Sequence, residues 1–103
     1  KEEVEKWLKR FNLLEFKDKK VKTFSLGMKQ RLALCQAFME NPDVILLDEP
    51  FNAIDEDNLN IVYDLLKEQR EAGKIIVIAS HIENNFNYDS IITMNDGKIS
   101  NVK

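Results

Sequence analysis

The chain has 103 residues, 44% apolar and 32% charged, with a formal net charge of −3. That length suits one small domain with a modest core, and the balance reads as globular, neither disordered nor membrane-spanning. The longest aliphatic run, Ile75 to Ala79, is too short to cross a bilayer. The single cysteine, Cys35, excludes an internal disulfide or a multi-cysteine zinc site, and its apolar helical setting reads as a small buried hydrophobe in a reducing compartment. The opening KEEVEK does not read as a signal peptide, so a membrane connection is expected through another chain. Charge is unevenly placed. Residues 1–40 carry a net +4 and residues 41–103 a net −7. The run Lys17, Lys19, Lys20 and Lys22 has no interleaved aromatics and reads as solvated surface, so no nucleic-acid partner is expected.

In chain order, Val4, Trp7, Leu8 and Phe11 recur at i, i+3, i+4 and i+7, which predicts an amphipathic first helix. A polar connector follows. From about Leu26 to Glu40 a stripe of Met28, Leu32, Cys35 and Met39, widened by Leu34, Ala37 and Phe38, predicts a well-buried helix. Asn41-Pro42 ends it, because proline disfavours helical geometry in the residue before it. Val44 to Leu47 is a short apolar run before Asp48-Glu49-Pro50, the pattern of a strand buried on both faces. Asp55 reads as an N-cap with Glu56 and Asp57 in the first turn. That helix runs through Leu59, Val62, Leu65 and Leu66 to Gly73 as the C′ residue. A second buried strand, Ile75 to Ala79, leads into Ser80-His81. A third, Ser90 to Met94, turns through Asp96-Gly97 into Ile99 to Val102 as a hairpin. The order predicts an α/β fold with a partly parallel sheet.

Three positions suggest chemistry. Asp48 and Glu49 end a buried strand, where α/β proteins place ligands. One carboxylate there can hold Mg²⁺ and its neighbour can take a proton from an attacking water; both can equally face solvent without function. His81 follows the next strand and emerges on the same edge of the sheet, as a catalytic group or a surface histidine. Ser25 and Gly27 open the second helix. They suit a plain N-cap and equally an anion site of free amides, a hydroxyl and a close-approach glycine. The only glycines are Gly27, Gly73 and Gly97, and no two share a loop, so no glycine-rich phosphate cradle can be written.

Together these residues resemble a family. FSLGMKQR at Phe24–Arg31 resembles the signature motif of ABC-type ATPases, and VILLDEP at Val44–Pro50 their Walker B strand with its following glutamate. NAID at Asn52–Asp55 resembles the D-loop, and Ser80-His81 the switch histidine. The FSLGMKQR variant is most similar to ATP-binding subunits of bacitracin- or lantibiotic-type exporters. The resemblance implies a partial P-loop NTPase fold: a helical signature region over residues 1–41, then a mostly parallel core sheet with a C-terminal hairpin over 42–103, with the Walker A strand absent.

It implies ATP and Mg²⁺ as cofactors, with Asp48 holding the metal, Glu49 as general base and His81 contacting the γ-phosphate. Ser25 and Gly27 would grip the γ-phosphate bound to a second nucleotide-binding domain in a head-to-tail dimer, and Asp55 would communicate across that interface. The parent protein would be an ATP hydrolase on a transmembrane permease, at the cytoplasmic face of the membrane. A soluble ABC-type ATPase acting on nucleic acid or ribosomes is the alternative. Two residues depart from the pattern: Leu26 stands at the first signature glycine and Met28 at a common glutamine. With the phosphate-loop strand missing between Ile75–Ala79 and Ser90–Met94, the resemblance implies an inactive segment whose bare strands either pair with each other or are covered by a second copy.

Overall fold

The computed structural model describes residues 2–81 and 86–103. Helix α1 spans Glu2–Arg10, α2 Leu26–Met39 and α3 Glu56–Glu71. The strands are β1 Val44–Asp48, β2 Ile75–Ala79, β3 Ile92–Asn95 and β4 Lys98–Val102, and two short 3₁₀ turns fill the polar connector before α2.

Each helix stops for a reason written in its last residues. At the end of α1, Asn12 takes a left-handed φ of 60°. The Asn12 N–H donates to the Lys9 carbonyl and that of Leu13 to Leu8, a Schellman closure. It drops Phe11 and Leu13 into the core, although no residue of α1 itself is fully buried. Asn41 ends α2 in the same left-handed region, at φ 53°. Gly73 closes α3 at φ 88°, with the Gly73 N–H on Arg70 and the Lys74 N–H on Gln69, as its C′ position predicts.

β1 and β2 pair in parallel from Val44↔Ile75 to Asp48↔Ala79, and α3 crosses between them. β3 and β4 form a separate antiparallel hairpin. Its two-residue turn, Asp96-Gly97, has positive φ at both positions (51° and 76°), which suits the right-handed twist of the flanking strands. β2 does not pair with β3. The expected rearrangement, in which these strands join across the gap, is therefore not adopted.

The core is one cluster. Leu34, Cys35 and Phe38 of α2 meet Ile45 and Leu47 of β1, Phe51, and Val62, Leu65 and Leu66 of α3, closed by Phe11 and Leu13. Phe51 stacks edge-on against Tyr63, with ring centroids 5.3 Å apart, and anchors the loop that leaves β1. The buried-cysteine expectation holds, as Cys35 is 0% exposed. The expectation that β1 is buried on both faces does not. Ile45 and Leu47 face the helices, whereas Val44, Leu46 and Asp48 are exposed. On β2, Ile75 and Val77 are likewise exposed. The continuous apolar run supplies two apolar faces, and among the described residues only one has a layer packed on it. No helix among them is long and apolar enough to cross a membrane.

Candidate functional site

The carboxyl ends of β1 and β2 lie side by side, because the parallel register puts Asp48 opposite Ala79. The ladder continues one residue further, where the Glu49 N–H donates to the Ala79 carbonyl at 2.7 Å. Glu49 then turns out of the strand with φ 48°, a conformation that non-glycine residues rarely adopt. The turn directs its carboxylate at the residues after β2. Its Oε1 accepts the His81 backbone N–H at 2.9 Å and also faces the His81 imidazole Nδ1. The Ser80 hydroxyl lies 3.5 Å from Oε2. Glu49 is largely sheltered, while the His81 side chain is 92% exposed.

Asp48 does not join this pair. It lies on the uncovered face of β1 with Val44 and Leu46. Among the described residues no group of three or more His, Cys, Asp or Glu could hold a metal ion unaided. One exposed carboxylate fits a hard cation that keeps most of its water shell, as Mg²⁺ does.

The second group sits at the start of α2. Ser25 is the N-cap, its hydroxyl oxygen accepting the Met28 N–H at 3.1 Å. Ser25, Leu26, Gly27 and Arg31 face Ala53, Ile54, Asp55 and Asn58 across an open groove of about 430 Å³. Gly27 has no room for a side chain, since a Cβ there would lie 2.5 Å from the Ala53 carbonyl oxygen. Leu26, by contrast, projects outward at 74% exposure. Asp55 occupies the N-cap position of α3, but its side chain makes no capping bond. Its Oδ1 instead accepts from Asn58 Nδ2 at 2.6 Å. Asn58 Oδ1 in turn accepts from Arg31 Nη1 at 3.2 Å and from Asn12 Nδ2 at 3.1 Å.

The structure thus brings Glu49 and His81 together. It gathers Ser25, Gly27 and Asp55 around one groove, and leaves Asp48 on the open face. Sequence reasoning missed three residues that link these groups. Arg31 ties α2 to the end of α1 through the Phe11 carbonyl at 2.9 Å. Asn58 holds Asp55, and Gln30 Nε2 donates to the Glu49 carbonyl at 2.8 Å. Gln30 and Arg31 lie within the FSLGMKQR stretch, which was the available signal. Asn58, three residues past an N-cap aspartate, carried none.

This geometry, with a carboxylate turned out at the end of one parallel strand, a histidine at the end of the next and a capped helix abutting the intervening loop, defines an ATP-binding-cassette architecture. The chain belongs to the ABC transporter family, whose model matches residues 1–52. It is 44% identical over 94 residues to the uncharacterized ABC transporter ATP-binding protein YybJ of Bacillus subtilis (strain 168), covering 89% of this chain and 43% of that protein. Among solved structures it superposes on the dimeric bacterial ABC transporter cassette MJ0796 with a TM-score of 0.87 at 30% identity, covering 99% of this chain and 45% of that one. A post-hydrolysis dimer of MJ0796 bound to ADP and Pi matches equally, with a TM-score of 0.87. The chain therefore spans less than half the length of these relatives.

Proposed function

We propose that this chain is the signature and Walker B part of a longer cassette that couples ATP hydrolysis to transport, in the export direction, across a membrane. The observation that carries the reading is the Glu49 carboxylate, turned out of β1 onto His81 at the paired ends of β1 and β2. A sheltered carboxylate at such an edge can accept the proton of an attacking water. His81, exposed beside it, would donate toward a phosphoryl oxygen. Asp48 would hold Mg²⁺, which neutralises charge on the phosphates when bound. Ser25 and Gly27 present a capped helix N-terminus to an anion, and Asp55 lines the same groove.

Within these 103 residues no glycine-rich loop exists to cradle the bound nucleotide, so the segment alone is not expected to hydrolyse ATP. The uncovered apolar face of β1 and β2 supports the same reading, as does the share of the relatives that it spans. On the motif resemblance, the phosphate that Ser25 and Gly27 would contact belongs to a second cassette packed head to tail, and the dimeric structure of MJ0796 supports such pairing. A permease at the cytoplasmic face of the membrane is the expected partner, and the FSLGMKQR variant favours an exporter of the bacitracin or lantibiotic type.

The test is Glu49→Gln in the whole cassette. Losing one positioned base is typically worth about 10²–10⁴-fold, so ATP turnover should fall by that factor while ATP binding is kept. Near-normal hydrolysis would remove Glu49 from the base role.

A further inference from the structure

We propose that Gln30 is the positioning residue for Glu49, fixing the direction of its carboxylate through the backbone without touching the reacting groups. The inference rests on the reading of Glu49 as the base. Glu49 is a branch point between strand and loop, and its φ of 48° decides where the side chain goes. In an ordinary extended conformation the residue would continue β1, and its carboxylate would leave His81. Something must therefore hold the peptide groups on both sides. The N–H side is held by β2, through the Ala79 carbonyl at 2.7 Å. The carbonyl side is held by α2, through Gln30 Nε2 at 2.8 Å in a partly buried contact. The other donor on that carbonyl is the Asn52 N–H at 3.4 Å, at the outer limit of a hydrogen bond. Gln30 thus makes the short bond that closes the turn.

Gln30 is also well placed to carry information. It sits on α2 little more than one turn beyond Ser25, the N-cap hydroxyl, and Gly27 of the same turn abuts the Ala53 carbonyl. A helix whose second turn holds the Glu49 carbonyl makes the orientation of Glu49 depend on the seating of α2, and so on any anion its first turn would bind. A displacement of about 1 Å at a catalytic group can cost on the order of 10²-fold in rate.

The experiment replaces Gln30 in the whole cassette with Met, which keeps the length and loses the donor, and with Glu, which keeps the shape and can only accept. For both we expect kcat to fall about 10- to 100-fold, with KM for ATP within about twofold, the pattern of an interaction expressed in the transition state. In a Glu49→Gln background the same substitutions should add less than about twofold, because residues that act through one another are not additive. Unchanged kcat in the folded variants overturns the assignment. So does a rise in KM alone, or an undiminished further loss in the Glu49→Gln background. Should Gln30→Met fail to fold, Gln30→Glu carries the test. Full hydrolysis by Glu49→Gln itself would instead defeat the base reading, whatever Gln30 does.

Discussion

Gly27→Ala tests the contact between the start of α2 and the loop after β1. A Cβ on Gly27 would lie 2.5 Å from the Ala53 carbonyl oxygen and 3.6 Å from its carbon. Carbon and oxygen settle at about 3.3 Å or more, so the carbonyl must retreat by roughly 0.8 Å. Ala53 is poorly placed to do so. It already has φ 62°, and two residues later the chain enters α3 at Asp55. In an open helix Gly→Ala would stabilise by up to about 1 kcal/mol, whereas forcing atoms into a filled space costs about 1–3 kcal/mol. The clash should win, for a net loss of about 1–2 kcal/mol. Urea unfolding of the 103-residue chain, followed by Trp7 fluorescence, should show it. With a slope of about 2 kcal/mol per molar, the middle of the usual range, the midpoint should drop by roughly 0.5–1 M. Adding Ala53→Gly, which accepts a positive φ without strain, should recover part of the loss. A Gly27→Ala chain at least as stable as the original would show that the loop yields freely, and that the glycine is not required by this contact.

Two further outcomes follow from the core and the linking network. Burial pushes the Cys35 thiol up to about 11 from 9.0, so it should resist alkylation at pH 8 in the folded chain and react once the chain is unfolded in urea. Because the folded pKa is raised, the unfolded chain loses this proton first. The associated stability is complete below about pH 9 and lost as pH rises towards 11, by about 2–3 kcal/mol. Cys35→Ala should flatten that part of the urea midpoint against pH, and an unchanged profile would exclude the thiol as its source. Arg31→Met should strip the Phe11 carbonyl and Asn58 of their charged donor. The loss should be about 1.5–3 kcal/mol, seen as a melting point lower by 4–8 °C for each kcal/mol. A change under 2 °C would sink this account of Arg31.

The helices were legible because their ends are chemically marked. Ser25 caps α2 with the bond that its side chain predicts, and Gly73 closes α3 in the left-handed region. The hairpin was legible from Asp96-Gly97 alone, although β3 starts at Ile92 rather than Ser90. What stayed hidden depends on partners far along the chain. The Gln30–Glu49 bond spans nineteen residues and the Arg31–Asn58 bond twenty-seven, and no local propensity encodes such pairs. Asp55 shows the same limit at close range. Its position marks the helix start, but Asn58 offers a side-chain donor that takes the oxygen expected to cap the backbone. The strands misled for another reason. An apolar run records what a strand is suited to be buried against, not which layers lie on it, so Leu46 is 73% exposed beside a fully buried Ile45.

The loop from Glu49 to Asn58 is where these separate observations become one structural fact. It holds two non-glycine residues at positive φ, Glu49 and Ala53, each costing about 1–2 kcal/mol. Opposing that strain on one side are contacts from α2: Gln30 on the Glu49 carbonyl, Gly27 against the Ala53 carbonyl, and Arg31 on Asn58, which holds Asp55. On the other side β2 holds the Glu49 N–H and Phe51 packs in the core. The Gln30 bond contributes about 0.5–1.5 kcal/mol and the charged Arg31 bond about 1.5–3 kcal/mol, a sum comparable with the strain. The seating of the loop on α2 is thus one of the two supports of its conformation. Detaching α2 would remove the Gln30 bond and leave the β2 bond alone to hold Glu49 against about 1–2 kcal/mol of strain. On the function proposed above, the residues read as gripping a phosphate and the residue read as the base are thus joined through the same turn and a half of helix.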